Sequence, residues 1–197
     1  MRPRRSKSLW LVLLAGLVVL GSAAAPAEEK KFADLTFTHL TPLALDVQRV
    51  EVVREYAPPG AKPNVDHLFP VPPADAVARW AGDRLKPVGR FRLCRVVVKD
   101  ASVVEVPLQK PGGFKSWFTT EQAERYDATI EVVVEIRSDA GRDAFAAARV
   151  KRSQTIEEGA SPNQRKELWF TMTERMMAEL DKELERSMRQ YLAAYIR

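Results

Sequence analysis

The C-terminal segment, residues 161–197, constrains the fold more than any other part of this sequence. Apolar residues recur there at every fourth position, a spacing that predicts a helix and not a strand. They are Leu168, Met172, Met176, Leu180, Leu184, Met188, Leu192 and Ile196. Four residues turn an α-helix by about 400°, so this row drifts around the helix. Four more apolar residues widen it: Trp169, Met177, Tyr191 and Tyr195. We therefore expect one long helix lying diagonally over a twisted sheet.

The start and the polar face of this helix are also marked. Ser161 and Gln164 have the spacing of a capping box, and Pro162 takes the first helical position, where a missing N–H costs nothing. The face expected to be solvated carries Glu174, Asp181, Lys182, Glu185 and Arg189, of which Glu185 and Arg189 form an i,i+4 pair. The methionine-rich apolar side has two interpretations. It is the buried core face, or it is an adaptable binding groove.

Residues 1–27 have the three parts of a secretory signal peptide. A basic stretch with Arg4 and Arg5 precedes the apolar residues 9–21, and small residues around Ala27 form the cleavage site, leaving Glu28 as the new N-terminus. We expect a periplasmic protein exported by the general secretory route. An uncleaved inner-membrane anchor is the alternative if residues 22–25 extend the apolar run.

Charge and cysteine content narrow the function classes further. The chain has 31 basic and 26 acidic residues, and four of the basic residues but none of the acidic ones lie in the leader. The remaining chain is therefore nearly neutral and gives no support to the basic footprint of a nucleic-acid-binding protein, so we expect no nucleic-acid partner. Cys94 is the only cysteine, so an intrachain disulfide is impossible. We expect a buried thiol, with an intermolecular disulfide as the alternative.

The rest of the chain predicts one α+β domain over residues 42–197, after a polar lead-in at residues 28–41. Predicted strands cover residues 43–56, 90–98, 102–108, 125–137 and 144–155. The first has an irregularity near Gln48. The second and third fit either one bent strand or a hairpin. The result is an antiparallel or mixed sheet of about four to five strands with the helices mainly on one face.

Two further segments connect these strands. Residues 57–73 contain six prolines and predict an extended crossing loop. Residues 74–85 predict a short helix whose apolar face carries Val77, Trp80, Ala81 and Leu85. Residues 119–122 have a second capping-box pattern, which predicts a short turn of helix.

The sequence shows no catalytic, cofactor-binding or metal-binding signature. The two histidines, His39 and His67, lack the partners of a zinc motif, and no phosphate loop is present. We therefore expect a protein that is not an enzyme and needs no cofactor. Asp66 beside His67 leaves open a hydrolase whose acid–base pair lies on a loop.

One loop has an unusual composition for a soluble domain. Phe114, Trp117 and Phe118 lie beside Lys115, a combination that fits a bilayer interface or an anchor in a partner's pocket. Phe114, Lys115, Trp117 and Phe118 are therefore the candidate contact residues. The alternative is that the rings fold back over the end of the sheet.

The order of these features resembles a family. The chain has an export leader, a first strand ending at Tyr56, a proline-rich crossing, a helix with Arg79, Trp80 and Leu85, and a long C-terminal helix. It also has the hairpin sequence AERYDATIEVVVEIRSDAGR. This pattern resembles the ABC-type transport auxiliary lipoproteins and, more loosely, the lipopolysaccharide-assembly lipoproteins.

The resemblance implies a two-helix, sheet-based fold that assists lipid or lipopolysaccharide traffic in the bacterial envelope without catalysis. No cysteine follows the apolar leader, where those lipoproteins carry one, so outer-membrane anchoring is not part of the expectation. We expect a periplasmic accessory or scaffold protein whose partner is an envelope protein complex or a lipid. A carrier of lipids or other hydrophobic ligands is the alternative, and it needs a cavity between the long helix and the sheet.

Overall fold

A five-stranded mixed sheet with two helices on one face organises the chain. The computed structural model describes residues 31–108 and 122–197. The elements of this part are β1 (Leu43–Leu45), β2 (Arg49–Arg54), α1 (Pro73–Arg84), β3 (Leu85–Pro87), β4 (Leu93–Asp100), β5 (Val103–Pro107), β6 (Gln122–Ser138), β7 (Gly141–Glu157) and α2 (Pro162–Tyr191). Short 3-10 turns lie at Asp66–Leu68 and Ala193–Tyr195. The α+β class and the long C-terminal helix are confirmed.

The sheet is mixed because β2 runs parallel to β4, whereas the other pairs are antiparallel. β7 pairs with one edge of β6 along its whole length. β4 and β5 follow each other along the other edge, with Leu93 opposite Arg137 and Val103 opposite Ala128. Residues 93–107 are therefore one bent strand and not a hairpin. Gln122 is the first residue of β6 and not the end of a helical turn, and residues 119–121 lie outside the described ranges.

The predicted first strand, residues 43–56, is in fact two strands in two sheets. β1 pairs with β3 in a separate two-stranded sheet, and β2 pairs with β4. Gln48 lies at the break, where its N–H donates to the carbonyl oxygens of Phe91 and Arg92, each at 3.0 Å. The C-terminus returns to β1, because the N–H of Arg197 donates to Ala44 O at 2.9 Å.

One face of the sheet forms the core. Side chains alternate along β6, and six successive inward residues are at most 2% exposed: Tyr126, Ala128, Ile130, Val132, Val134 and Ile136. α2 packs over this face and over the inward side of β7, where Ala144, Ala146 and Ala148 leave room for its larger side chains. Cys94 of β4 is fully buried in the same core.

The apolar row of α2 is the core face, as its period predicts. Residues Met172 to Leu192 of the row are buried, while Leu168 and Ile196 are half-buried. The capping box is present, with Gln164 N–H donating to Ser161 Oγ at 3.3 Å and Ser161 N–H to Gln164 Oε1 at 2.7 Å. The prediction for Tyr191 is wrong, since it is 60% exposed at the end of the helix.

The prediction that Asp181 is solvated is also wrong. Asp181 lies in the interface between α1 and α2, where one carboxylate oxygen accepts hydrogen bonds from Trp80 Nε1 and Arg84 Nε, both at 2.7 Å. Arg84 is only 2% exposed and also pairs with Glu185. Glu185 forms the predicted pair with Arg189 as well. A polar cluster therefore joins the two helices inside the fold.

The segment before β1 packs against both helices. Leu35 and Phe37 belong to the hydrophobic core. The N–H of Phe37 donates to Asp83 of α1 at 2.8 Å, and the ring of Phe32 lies 5.1 Å from that of Phe170 on α2. Residues 32–37 thus cover the outer side of the helix pair.

Candidate interaction surfaces

The candidate contact residues Phe114, Lys115, Trp117 and Phe118 lie outside the described residues. The chain leaves the sheet before them at Leu108, whose N–H donates to Ala123 O at 3.0 Å, and it returns at β6. Both attachment points therefore lie at the same end of the long β6–β7 hairpin.

A polar cluster holds that end of the sheet. Tyr126 Oη donates to Glu124 at 2.7 Å, and Arg165 at the start of α2 bonds to both side chains. Burial alone would raise the pKa of Glu124, but the hydrogen bonds from Tyr126 and Arg165 outweigh it and the pKa is lowered. Burial and the bond to Glu124 raise the pKa of Tyr126. The carboxylate thus stays ionised and the phenol neutral.

Aromatic rings extend this cluster into the core. Trp169 of α2 stacks on Phe69 with ring centroids 5.0 Å apart and meets the Tyr126 ring edge-on at 5.5 Å. Trp169 is 5% exposed, and its Nε1 has no hydrogen-bond partner among the described residues. Both α2 and the 57–73 crossing therefore pack into this end of the sheet.

The predicted acid–base pair does not form as such. Asp66 is 2% exposed and accepts a hydrogen bond from Tyr56 Oη at 3.0 Å, whereas His67 faces solvent. Burial, followed by the bond to Asp66, raises the pKa of Tyr56 to about 12. Asp66 therefore serves as the acceptor for a neutral tyrosine that ties the crossing loop to the end of β2.

Metal and membrane-spanning features are absent from the described ranges. No group of three or more His, Cys, Asp and Glu side chains there could hold a metal ion, and both histidines are exposed. Neither helix of residues 31–108 and 122–197 combines the length and apolarity that crossing a bilayer requires.

The spaces beside α2 differ in character. Two open grooves of about 310 and 540 Å³ lie along the border between α2 and β7. Charged side chains such as Arg152, Arg175 and Glu183 line them. A mostly apolar cavity of about 380 Å³ lies instead between α2 and residues 33–40, next to Leu35, Phe37 and Phe170. The apolar space is thus on the side of α2 that faces the N-terminal segment, not the sheet.

The opposite end of the hairpin carries a surface that the sequence prediction missed. Residues 90–92 were expected in a strand, but β4 begins only at Leu93. Phe91 is 75% exposed, and Val88 is 58% exposed. The depression beside Phe91 measures about 480 Å³, and its charged lining is Arg49, Arg90, Arg92, Arg137 and Asp139. The only sequence signal for it is the Arg-Phe-Arg triplet.

Comparison with known proteins assigns no family. No protein-family model matches the sequence, and neither does any curated protein. Among solved structures, the chain is similar to the rare lipoprotein B from Shewanella oneidensis, with 10% sequence identity and a TM-score of 0.35. The match covers 71% of this chain and 92% of that one.

Proposed function

We propose that this protein is a non-catalytic accessory or scaffold protein of a bacterial envelope assembly. The observation that carries the proposal is the length of the β6–β7 hairpin and the packing of α2 along it. β6 and β7 have 17 residues each, and the 30-residue α2 packs against them. A strand of this length spans roughly 50 Å. Such a frame holds two separate binding surfaces at a fixed distance, which is what a scaffold requires.

The polar groups of the described residues support binding and not turnover. The carboxylates with lowered pKa values, Glu124, Asp127, Glu135 and Glu185, are each paired with arginine. The pairs of Glu124, Glu135 and Glu185 join different elements, whereas Asp127 pairs with Arg125 within β6, and the four do not converge on one cleft. The signal peptide predicted at residues 1–27 adds the envelope location to the proposal.

The partner contact that we propose is the 111–118 segment, with Phe114, Lys115, Trp117 and Phe118 as its anchors. Co-purification from envelope extracts, with both proteins and lipids identified, tests it. Replacement of Trp117 and Phe118 by alanine should weaken the association by about 2 kcal/mol or more. Phe145→Ala is the matched control, because this ring is 51% exposed near the other end of the hairpin.

The outcomes separate the alternatives. Loss of the partner in the double variant, but not in Phe145→Ala, supports the contact. A double variant that unfolds places the rings in the core. A double variant that folds and keeps every partner moves the interface elsewhere.

The apolar cavity beside α2 favours one second function, a carrier of hydrophobic ligands. A volume of about 380 Å³ lies within the usual range for small-molecule sites. Ala178, which lines it, is exposed on α2. Ala178→Trp should fill the cavity and abolish co-purification of a lipid without unfolding the protein. Unchanged lipid content in this variant would reject the carrier function.

A further inference from the structure

The loop of residues 88–92 holds its exposed side chains on a fixed backbone. Gly89 N–H donates to Val47 O at 3.0 Å, and Gln48 N–H is shared by the carbonyls of Phe91 and Arg92. A side chain at Gly89 would lie 2.6 Å from the Val47 nitrogen, so this close approach requires glycine. Arg92 has φ +68°, a left-handed conformation that is costly outside glycine.

This backbone directs Phe91 away from the core. Arg92 Nε lies 3.3 Å from Asp143, and its guanidinium lies 5.4 Å from the centre of the Tyr195 ring. These contacts fix the residue after Phe91, and the bonds from Gln48 fix Phe91 itself. The ring is nevertheless 75% exposed, the highest value for a large hydrophobic side chain in the described ranges. The loop therefore presents an aromatic ring to solvent at little entropic cost.

Arginines surround this ring. Arg49, Arg90, Arg92 and Arg137 line the adjacent depression, and the registers of β4 and β7 place Arg95 and Arg142 next to them. The carboxylates that face the same group are Glu51, Glu135, Asp139 and Asp143. Six guanidiniums thus meet four carboxylates, and Arg90 makes no hydrogen bond or ion pair with any described residue. The patch is positive. Two of its guanidiniums, Arg90 and Arg95, and one of its carboxylates, Asp139, have no ion-pair partner among the described residues, and Arg90 is the exposed cation that can bind an anion.

We propose that the 88–92 loop docks this end of the protein on an anionic lipid bilayer. The Phe91 ring inserts among the headgroups, with Val88 beside it, while Arg90 and Arg49 lie next to lipid phosphates. Aromatic rings favour the bilayer interface, and arginine side chains reach from it towards phosphate. The negative surface potential of such a membrane also attracts a basic patch and so strengthens its binding.

A protein partner fits this surface less well. A stable protein interface buries about 800 Å² on each side, and it uses several anchors in a packed centre. Here the Phe91 ring projects beside an open polar depression, and Val88 and Phe145 are the other exposed apolar side chains that the structure describes at this end, so little apolar area is available to a rigid surface. A fluid bilayer adapts to a single projecting ring and needs no complementary pocket.

The proposal goes beyond the scaffold function, and separate experiments can reject either one without the other. Vesicle binding is measured with pure protein, whereas the scaffold function is tested by co-purification from extracts. Docking through residues 88–92 would leave the start of β6 up to roughly 50 Å from the bilayer. The two ends of the hairpin would then face different targets.

Sedimentation with vesicles tests the proposal. The full chain is expressed with its leader, and the protein is purified in whichever form the cells contain, cleaved or uncleaved. It is then mixed with vesicles of phosphatidylethanolamine and phosphatidylglycerol, or with vesicles of phosphatidylcholine alone. We expect tighter binding to the anionic vesicles and weaker binding at high salt. Phe91→Ser should weaken binding to them about tenfold, and Arg90→Gln about fivefold.

Leu68→Ser is the matched control, because Leu68 is 48% exposed near β5, away from this loop. It should bind as the wild type does, and circular dichroism confirms that all variants fold. Equal binding of wild type, Phe91→Ser and Arg90→Gln to anionic vesicles overturns the proposal, whatever the leader contributes. Absence of vesicle binding overturns it too. If Phe91→Ser instead loses an acidic protein in extracts, the surface serves a protein partner and not the bilayer.

Discussion

Arg84 on α1 donates its Nε–H to Asp181 on α2 at 2.7 Å, although the two residues are 97 positions apart in the sequence. The Arg84 side chain is 2% exposed and that of Asp181 is 12% exposed. Trp80 Nε1 donates to the same carboxylate oxygen, so the charge of Asp181 is matched by one cation and two donors. Breaking a buried pair of this kind leaves an uncompensated charge, which costs far more than the pair itself contributes.

Arg84→Ala should therefore lower the free energy of unfolding by about 3 kcal/mol. Urea unfolding followed by circular dichroism measures the change. Arg186→Ala is the control, because Arg186 pairs with Glu183 on the exposed side of α2 and its loss should cost less than about 0.5 kcal/mol. If both variants lose the same free energy of unfolding, water must hydrate the Asp181 carboxylate once Arg84 is removed.

Two glycines give a second matched pair. Gly89→Ala would place a Cβ 2.5 Å from the Asp46 carboxylate and 2.6 Å from the Val47 nitrogen, so residues 46–47 must move. We expect a loss of about 2 kcal/mol. Gly82→Ala, within α1, meets nothing within 4 Å and should stabilise by up to about 1 kcal/mol. Thermal unfolding measures the stability of both variants. If Gly89→Ala is as stable as the wild type, the close contact between this loop and residues 46–47 is contradicted.

The long helix could be predicted because its signal is local. The apolar row that includes Leu180 recurs at every fourth residue, so its prediction needs only the helical period. The capping box of Ser161 and Gln164 is predicted from their three-residue spacing alone. The α+β class follows from the order of such local signals. The structure confirms each of them.

The polar core could not be predicted in the same way. Asp181 lies at the border of the apolar stripe, and only the distant Trp80 and Arg84 make a buried carboxylate possible there. Phe91 fits an alternating strand pattern, but β4 begins only at Leu93, because the carbonyl oxygens of Phe91 and Arg92 accept hydrogen bonds from the N–H of Gln48. Both features depend on contacts between segments that are remote in sequence, which a periodic pattern does not contain.

Leu180 tests the role of α2 directly. It is fully buried, so Leu180→Asp would place a carboxylate in the core without a partner. We expect a loss of more than about 4 kcal/mol and no cooperative unfolding transition. Lys182→Asp, on the exposed side of the same turn, should retain the wild-type transition within about 1 kcal/mol. A folded Leu180→Asp protein would mean that the stripe binds a partner rather than the core.

Cys94 provides a probe of unfolding. Burial raises the pKa of its thiol to about 12, from 9.0 for an exposed cysteine. The reactive thiolate is therefore scarce at pH 8, about a thousandfold below its exposed level. A thiol reagent should label the folded protein very slowly and the protein in urea at once. Rapid labelling without denaturant would show that β4 opens locally, and it would revive an intermolecular disulfide.

Tyr56 predicts how stability changes at high pH. Its pKa in the folded protein is about 12, against 10.0 when exposed, because burial and the bond to Asp66 both favour the neutral phenol. A pKa that folding raises contributes stability below pH 10, and this contribution disappears as the pH rises towards 12. Tyr56→Phe lacks the hydroxyl, so it should be less stable than the wild type at pH 8, with the gap narrowing above pH 10. Urea unfolding of both proteins across this range measures the gap, and Tyr126, which both contain, contributes equally to each. A gap that stays constant through pH 11 would contradict the link between Tyr56 and Asp66.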